Sequence, residues 1–142
     1  MKKFAIFLFS LFIISFGVYH SAFASTNDAP NVEVTTILSK IDQTNVKIQG
    51  LIDEAILETS KISLKETEDL SKLDNEAERN ICIQEANCAI IKVMENLIVV
   101  TDKIAGDMVK EAAEYGIIVI QEYIPITVNG VTYMVDPLHV TS

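Results

Sequence analysis

The chain contains no Trp, only two Cys and, across 142 residues, three Pro and five Gly. All six Phe lie between Phe4 and Phe23, so Tyr is the sole aromatic after residue 24. The stacking platforms usual in sugar sites are therefore missing, and the core has to be aliphatic. Between Asn31 and Ala105 there is no Pro and a single Gly, Gly50. So long a stretch without turn residues predicts long helices. Basic residues are scarce, 11 against 20 acidic ones. A formal net charge of −9 disfavours nucleic acid and the anionic surface of a membrane as partners.

The first 24 residues have the composition of an export leader. Lys2 and Lys3 give a basic start, Phe4 to Tyr19 is almost unbroken apolar sequence, and Ala22-Phe23-Ala24 supplies a small-x-small site. Cleavage is expected after Ala24. The competing reading, a leader retained as an envelope anchor, meets an apolar run slightly short of the ~17–25 residues a spanning helix needs. No Cys lies near the cleavage point, so lipid attachment there is not expected. The leader takes two of the basic residues and none of the acidic ones, leaving 118 residues with a net charge of −11. The Met-Lys-Lys start points to a bacterial product, secreted or associated with the cell envelope. No membrane contact is expected once the leader is removed.

Residues 25–115 form a helical region and residues 116–142 a β-hairpin with a tail. The first helix is predicted from about Asn31 to Ser60. Val34, Ile37, Leu38, Ile41, Ile48, Leu51, Ile52 and Ala55 trace one stripe, interrupted at Thr44 and Asn45. From Ser60 to Asn75 the sequence reads as a bend with a short helix, Ser63-Leu64-Lys65-Glu66 fitting a capping box. The last helix is predicted from Asn75 to Tyr115, with Ile81, Cys88, Ile91, Met94, Ile98, Ala105, Met108, Ala112 and Tyr115 as its stripe. Gly116 then suits a helix end that needs a left-handed residue.

Beyond Gly116 the pattern becomes β-branched. Asn129-Gly130 predicts a two-residue hairpin turn, since both residues tolerate positive φ. Such a turn pairs Val128 with Val131, Ile126 with Tyr133 and Ile124 with Val135, all six on one face. Leu138 to Ser142 is read as a short tail. The predicted fold is mainly α with a small C-terminal β part (α+β), a long helical hairpin or bundle followed by a β-hairpin.

Cys82 and Cys88 are the pair that export would expose to oxidation. On an unbroken helix, six residues advance ~9 Å and turn ~240°, which points the side chains apart. A disulfide needs Cα atoms within ~7 Å. Three states stay open: two buried free thiols, an intrachain bridge across a break at Gln84 to Asn87, or an interchain bond. Neither C-x-x-C nor H-E-x-x-H occurs, nor a calcium loop, and no metal site is expected. His139 is the only His after the leader and sits on the tail. There is no nucleophile motif, and the carboxylate pairs Glu54 with Glu58, Glu76 with Glu78 and Glu111 with Glu114 read as solvated helix faces. No catalytic residue, cofactor or cofactor-binding motif is identified.

Leu97-Ile98-Val99-Val100 is apolar around the whole helix and has to be covered on several sides. Ile90, Met94, Leu97, Ile98, Val100, Ile104 and Met108 are the candidate interface, toward a protein partner or a second copy. The function expected is binding or assembly at the cell envelope or outside the cell, not catalysis. The alternative is a small secreted hydrolase or thiol enzyme using Cys88 or Cys82.

Overall fold

A computed structural model describes residues 32–135 and 137–140. The leader expected at residues 1–24 lies outside the described residues. Two antiparallel helices, α1 (Val32–Leu70) and α2 (Glu76–Glu114), are followed by four short strands. These are β1 (Val119–Gln121), β2 (Ile124–Val128), β3 (Val131–Val135) and β4 (Leu138–Val140). The predicted class, a long helical hairpin and then a β-hairpin, is the architecture observed. No described helix is long and apolar enough to cross a membrane.

The bend expected after Ser60 is absent; α1 runs through it to Leu70. The hydroxyls there are accommodated inside the helix. Ser60 Oγ donates to the Ile56 carbonyl at 2.7 Å and Thr67 Oγ1 to the Ser63 carbonyl at 2.9 Å. Each side chain thus satisfies its hydrogen bond one turn back without leaving the helix. Ser63 and Glu66 are mid-helix residues, not a cap. The predicted start of α2 does hold: Asn75 Oδ1 accepts from the Ala77 N–H at 2.9 Å. Arg79 reaches back to donate to the carbonyls of Leu70 and Leu73, closing the end of α1. At the far end of α2, Gly116 has φ +71, and the N–H groups of Gly116 and Ile117 bond to the carbonyls of Ala113 and Ala112. That pair of hydrogen bonds is a Schellman closure.

The buried stripe of α1 is Ile37, Ile41, Ile48, Ile52, Ala55 and Thr59. That of α2 is Ala86, Ile90, Met94, Leu97, Thr101, Ala105, Met108 and Ala112, in unbroken steps of three and four. The stripe expected for α2 is right at Met94, Ala105, Met108 and Ala112, and Ile98 is half-buried. It is wrong at Ile81, Cys88, Ile91 and Tyr115, which are exposed. The positions that replace them include small Ala86 and polar Thr101, whose Oγ1 donates to the Leu97 carbonyl at 2.9 Å. Neither reads as core by hydropathy.

The hairpin register is as predicted, Ile124↔Val135, Ile126↔Tyr133 and Val128↔Val131. Asn129 (φ 47) and Gly130 (φ 75) are both left-handed. In a two-residue hairpin the residues flanking the turn are hydrogen-bonded and alternate pairs are not. Pro125 and Thr127 therefore fall at non-bonded positions, so the missing N–H of Pro125 costs the ladder nothing. Thr127 and Thr132 approach across such a pair, their hydroxyls 3.1 Å apart. Gly130→Ala should cost on the order of 1 kcal/mol, since Ala resists positive φ. An unchanged melting curve for that variant would contradict the type I′ turn.

The expected tail is instead a strand. β4 pairs antiparallel with β1, Ile120 opposite His139. β1 and β3 pack on α2 while β4 packs on α1. Asn45 on α1 holds the Leu138 backbone, and Ser63 Oγ donates to Asn129 Oδ1 at the turn, 3.4 Å away. Asn45 and Ser63 are about five helical turns apart, ~27 Å along one face. These contacts, at Leu138 and at the Asn129 turn, hold the β ribbon along α1, where it covers one flank of the helix pair. Val119, Val135 and Leu138 complete the core from that side.

Candidate interaction surface

With the ribbon on one flank, the opposite flank of the helix pair is left uncovered. Leu51, Ala55, Val93, Leu97 and Val100 form the floor of a groove there, with a volume of about 300 Å³. Glu54 and Glu58 make its α1 lip; Lys92 and Asn96 make its α2 lip. Ala55 and Leu97 are buried beneath, whereas Leu51, Val93 and Val100 are half-buried. The same flank continues to a second hollow lined by Lys40, Gln43, Thr44, Lys47, Met108 and Glu111. Lys40 and Glu111 form a salt bridge across it. The hydrogen bond to Glu111, and then its charge, raise the Lys40 pKa above its ordinary value of 10.5. A raised lysine pKa stabilises the fold fully below that value and ceases to do so as pH rises through the folded-state pKa. The bridge is therefore insensitive to pH near neutrality.

The seven apolar residues expected at an interface divide into two groups. Ile90, Met94, Leu97 and Met108 are buried in the core that α2 shares with α1 and the ribbon. The monomer itself occupies them. Ile98 and Ile104 are half-buried and packed against that core, and Val100 is half-buried. Only Val100 and the edge of Leu97 reach the groove. Sequence reasoning placed Leu51 and Ala55 on the α1 stripe but not at a surface. The missing signal is the position of the ribbon, which decides which flank stays open.

Cys82 and Cys88 are free thiols on an unbroken helix, Cys82 half-buried and Cys88 exposed. The break at Gln84 to Asn87 that an intrachain bridge would need does not occur, which removes that alternative, and neither thiol is fully buried. The main chain of His139 lies in β4. Glu54, Glu58, Glu76, Glu78 and Glu114 are exposed, and Glu111 is half-buried in its bridge to Lys40. Among the described residues no group of three or more His, Cys, Asp or Glu is placed to hold a metal ion. Comparison with family models, with curated proteins and with solved structures finds no match to this chain.

Proposed function

We propose that the chain is an exported bacterial protein that acts by binding or assembly through the open flank of its helical hairpin. The observation that carries this reading is the groove itself, an apolar floor between lips of opposite charge. Apolar residues left half-exposed in a contiguous line, rimmed by polar ones, are the usual mark of a protein contact. The leader composition of residues 1–24 supports a place at the envelope or outside the cell.

The test is made on the full chain expressed in a bacterial host. A product beginning at Ser25 and recovered outside the cytoplasm is expected; retention of the complete chain in the cytoplasm would overturn the export part. A photo-crosslinking residue at Asn96, on the groove lip, should give a discrete protein adduct. The same residue at Val46, 73% exposed and outside both hollows, should give none. Equal yields from the two positions would remove the groove as the working surface.

A further inference from the structure

We infer that Asn129 is a self-modification site, its side-chain amide lost to attack by the Gly130 nitrogen whenever the β ribbon lifts from the helices. The inference is independent of the groove and of what binds there. Three observations carry it: the Asn-Gly pair, its conformation in the turn, and what holds that turn in place.

Asn129-Gly130 is the one Asn-Gly pair of the chain. Asn45, Asn80, Asn87 and Asn96 lie inside helices and precede Val, Ile, Cys and Leu. There the next backbone nitrogen is tied into the helix and crowded by a side chain. Gly130 instead offers a nitrogen with no side chain beside it, on an exposed turn. That nitrogen gives up its proton to solvent and bonds to Asn129 Cγ; the Cγ–Nδ2 bond breaks, and ammonia leaves. Water then opens the cyclic imide at one of its two carbonyls, giving aspartate or isoaspartate.

In the docked ribbon this route is closed. Asn129 and Gly130, with φ 47 and 75, form the type I′ turn. The first central residue of such a turn has ψ of about +30°, which puts the Gly130 nitrogen about 150° from Asn129 Cβ around the Cα–C bond. Closing the five-membered ring needs the two eclipsed, so the backbone has to leave the turn first. It cannot do so while β2 and β3 stay paired, Val128 opposite Val131. That pairing depends in turn on docking. The ribbon consists of two separate two-stranded sheets, and a two-stranded hairpin is marginal in water without a surface to pack on. The helices supply that surface: Val119, Val135 and Leu138 join their core, Asn45 grips Leu138, and Ser63 Oγ donates to Asn129 Oδ1. Lifting the ribbon releases the turn, and release exposes Asn129 to attack.

The isoaspartate product does not return to the docked state. Its chain runs through Cβ and Cγ, one methylene longer than before, and turn length sets hairpin register. Val135, fully buried and opposite Ile124, then loses its place in the core. The modification makes a reversible opening permanent.

The full chain is incubated at neutral pH in oxygen-labelled water, digested, and the peptide spanning the turn weighed. Label should enter at residue 129, at least about tenfold more slowly than in the same chain unfolded in guanidinium. Asn45→Ala should speed the reaction of the folded chain by about tenfold or more. Should that variant fail to fold, low urea on the unaltered chain gives a second readout, the rate rising before the helical signal falls. Asn129→Gly, whose Gly-Gly pair suits the same turn, should abolish labelling of this peptide. The isolated isoaspartate form should lose protection of the Leu138 amide. Asn129→Asp, with the same charge on a chain of ordinary length, should keep it. A folded-state rate equal to or above the unfolded one overturns the inference, because the turn then protects nothing. A rate that rises only with loss of the helical signal overturns it too, because the ribbon then does not lift by itself. Equal Leu138 protection in the isoaspartate form and in Asn129→Asp would overturn the permanence of the opening.

Discussion

Met94→Ala is expected to lower the unfolding free energy by about 2–5 kcal/mol, the range for truncating a buried Met. Met94 is fully buried, and so are Thr101, Ala105 and Ala112 on the same helix. Their spacing of seven, four and seven residues puts them on one seam of α2. The seam faces α1 and the ribbon at once, since β1 and β3 pack on α2. Met94, Ala105 and Ala112 belong to one core cluster with buried residues of α1 and of the strands. Truncation of Met94 leaves a cavity inside that core. In a domain with a total stability of ~5–15 kcal/mol, the loss is a large fraction. The thermal midpoint should fall by about 10 °C or more. Val99→Ala is the control, because Val99 is 67% exposed and its truncation should change stability by no more than about 0.5 kcal/mol. Equal costs for the two variants, in denaturant titrations of unchanged slope, would contradict this placement of the core.

The elements legible in the sequence are those specified by local chemistry. The Asn75 cap, the Gly116 stop and the Asn129-Gly130 turn each depend on backbone conformation over a few residues, and each is found as expected. The hairpin register follows from the turn alone. Two errors come from side chains with more than one use. Ser60, Ser63 and Thr67 suit a helix start as well as a helix interior, where the Ser60 and Thr67 hydroxyls bond to the preceding turn. Thr101 and Ala86 look unlike core, yet a hydroxyl bonded to its own helix can be buried. The strand β4 was hidden for a different reason. Leu138–Val140 is too short to show alternation, and its partner β1 is far enough away in sequence that no turn announces the pairing. The candidate surface inherits that gap. Periodicity shows that Leu97 to Val100 needs cover on several sides; only the path of the ribbon shows which flank remains for a partner.

Asn45 carries the second large effect. Hydropathy marks it as a flaw in the α1 stripe, and Asn is a poor helix former in a helix interior. In the fold its side chain makes two bonds to one residue, Oδ1 accepting from the Leu138 N–H at 2.9 Å and Nδ2 donating to the Leu138 carbonyl at 3.0 Å. The amide thus supplies the donor and the acceptor that a neighbouring strand would otherwise provide, and it ties the last strand to the first helix. Asn45→Ala removes both partners at a partly buried site. A buried donor or acceptor left unpaired costs ~1–3 kcal/mol, and with water reaching part of the site the expected loss is about 2–3 kcal/mol. Asn45→Asp tests the direction of each bond. It keeps the acceptor for the N–H but sets an anionic oxygen against the Leu138 carbonyl, so it should not restore stability. Hydrogen exchange gives the local readout. The Leu138 amide should lose protection in Asn45→Ala by more than the global loss of stability explains, while amides in the middle of α1 and α2 follow the global change. Retained protection at Leu138 would mean that the apolar contacts of Val119, Val135 and Leu138 hold the ribbon on the helices without the Asn45 clamp.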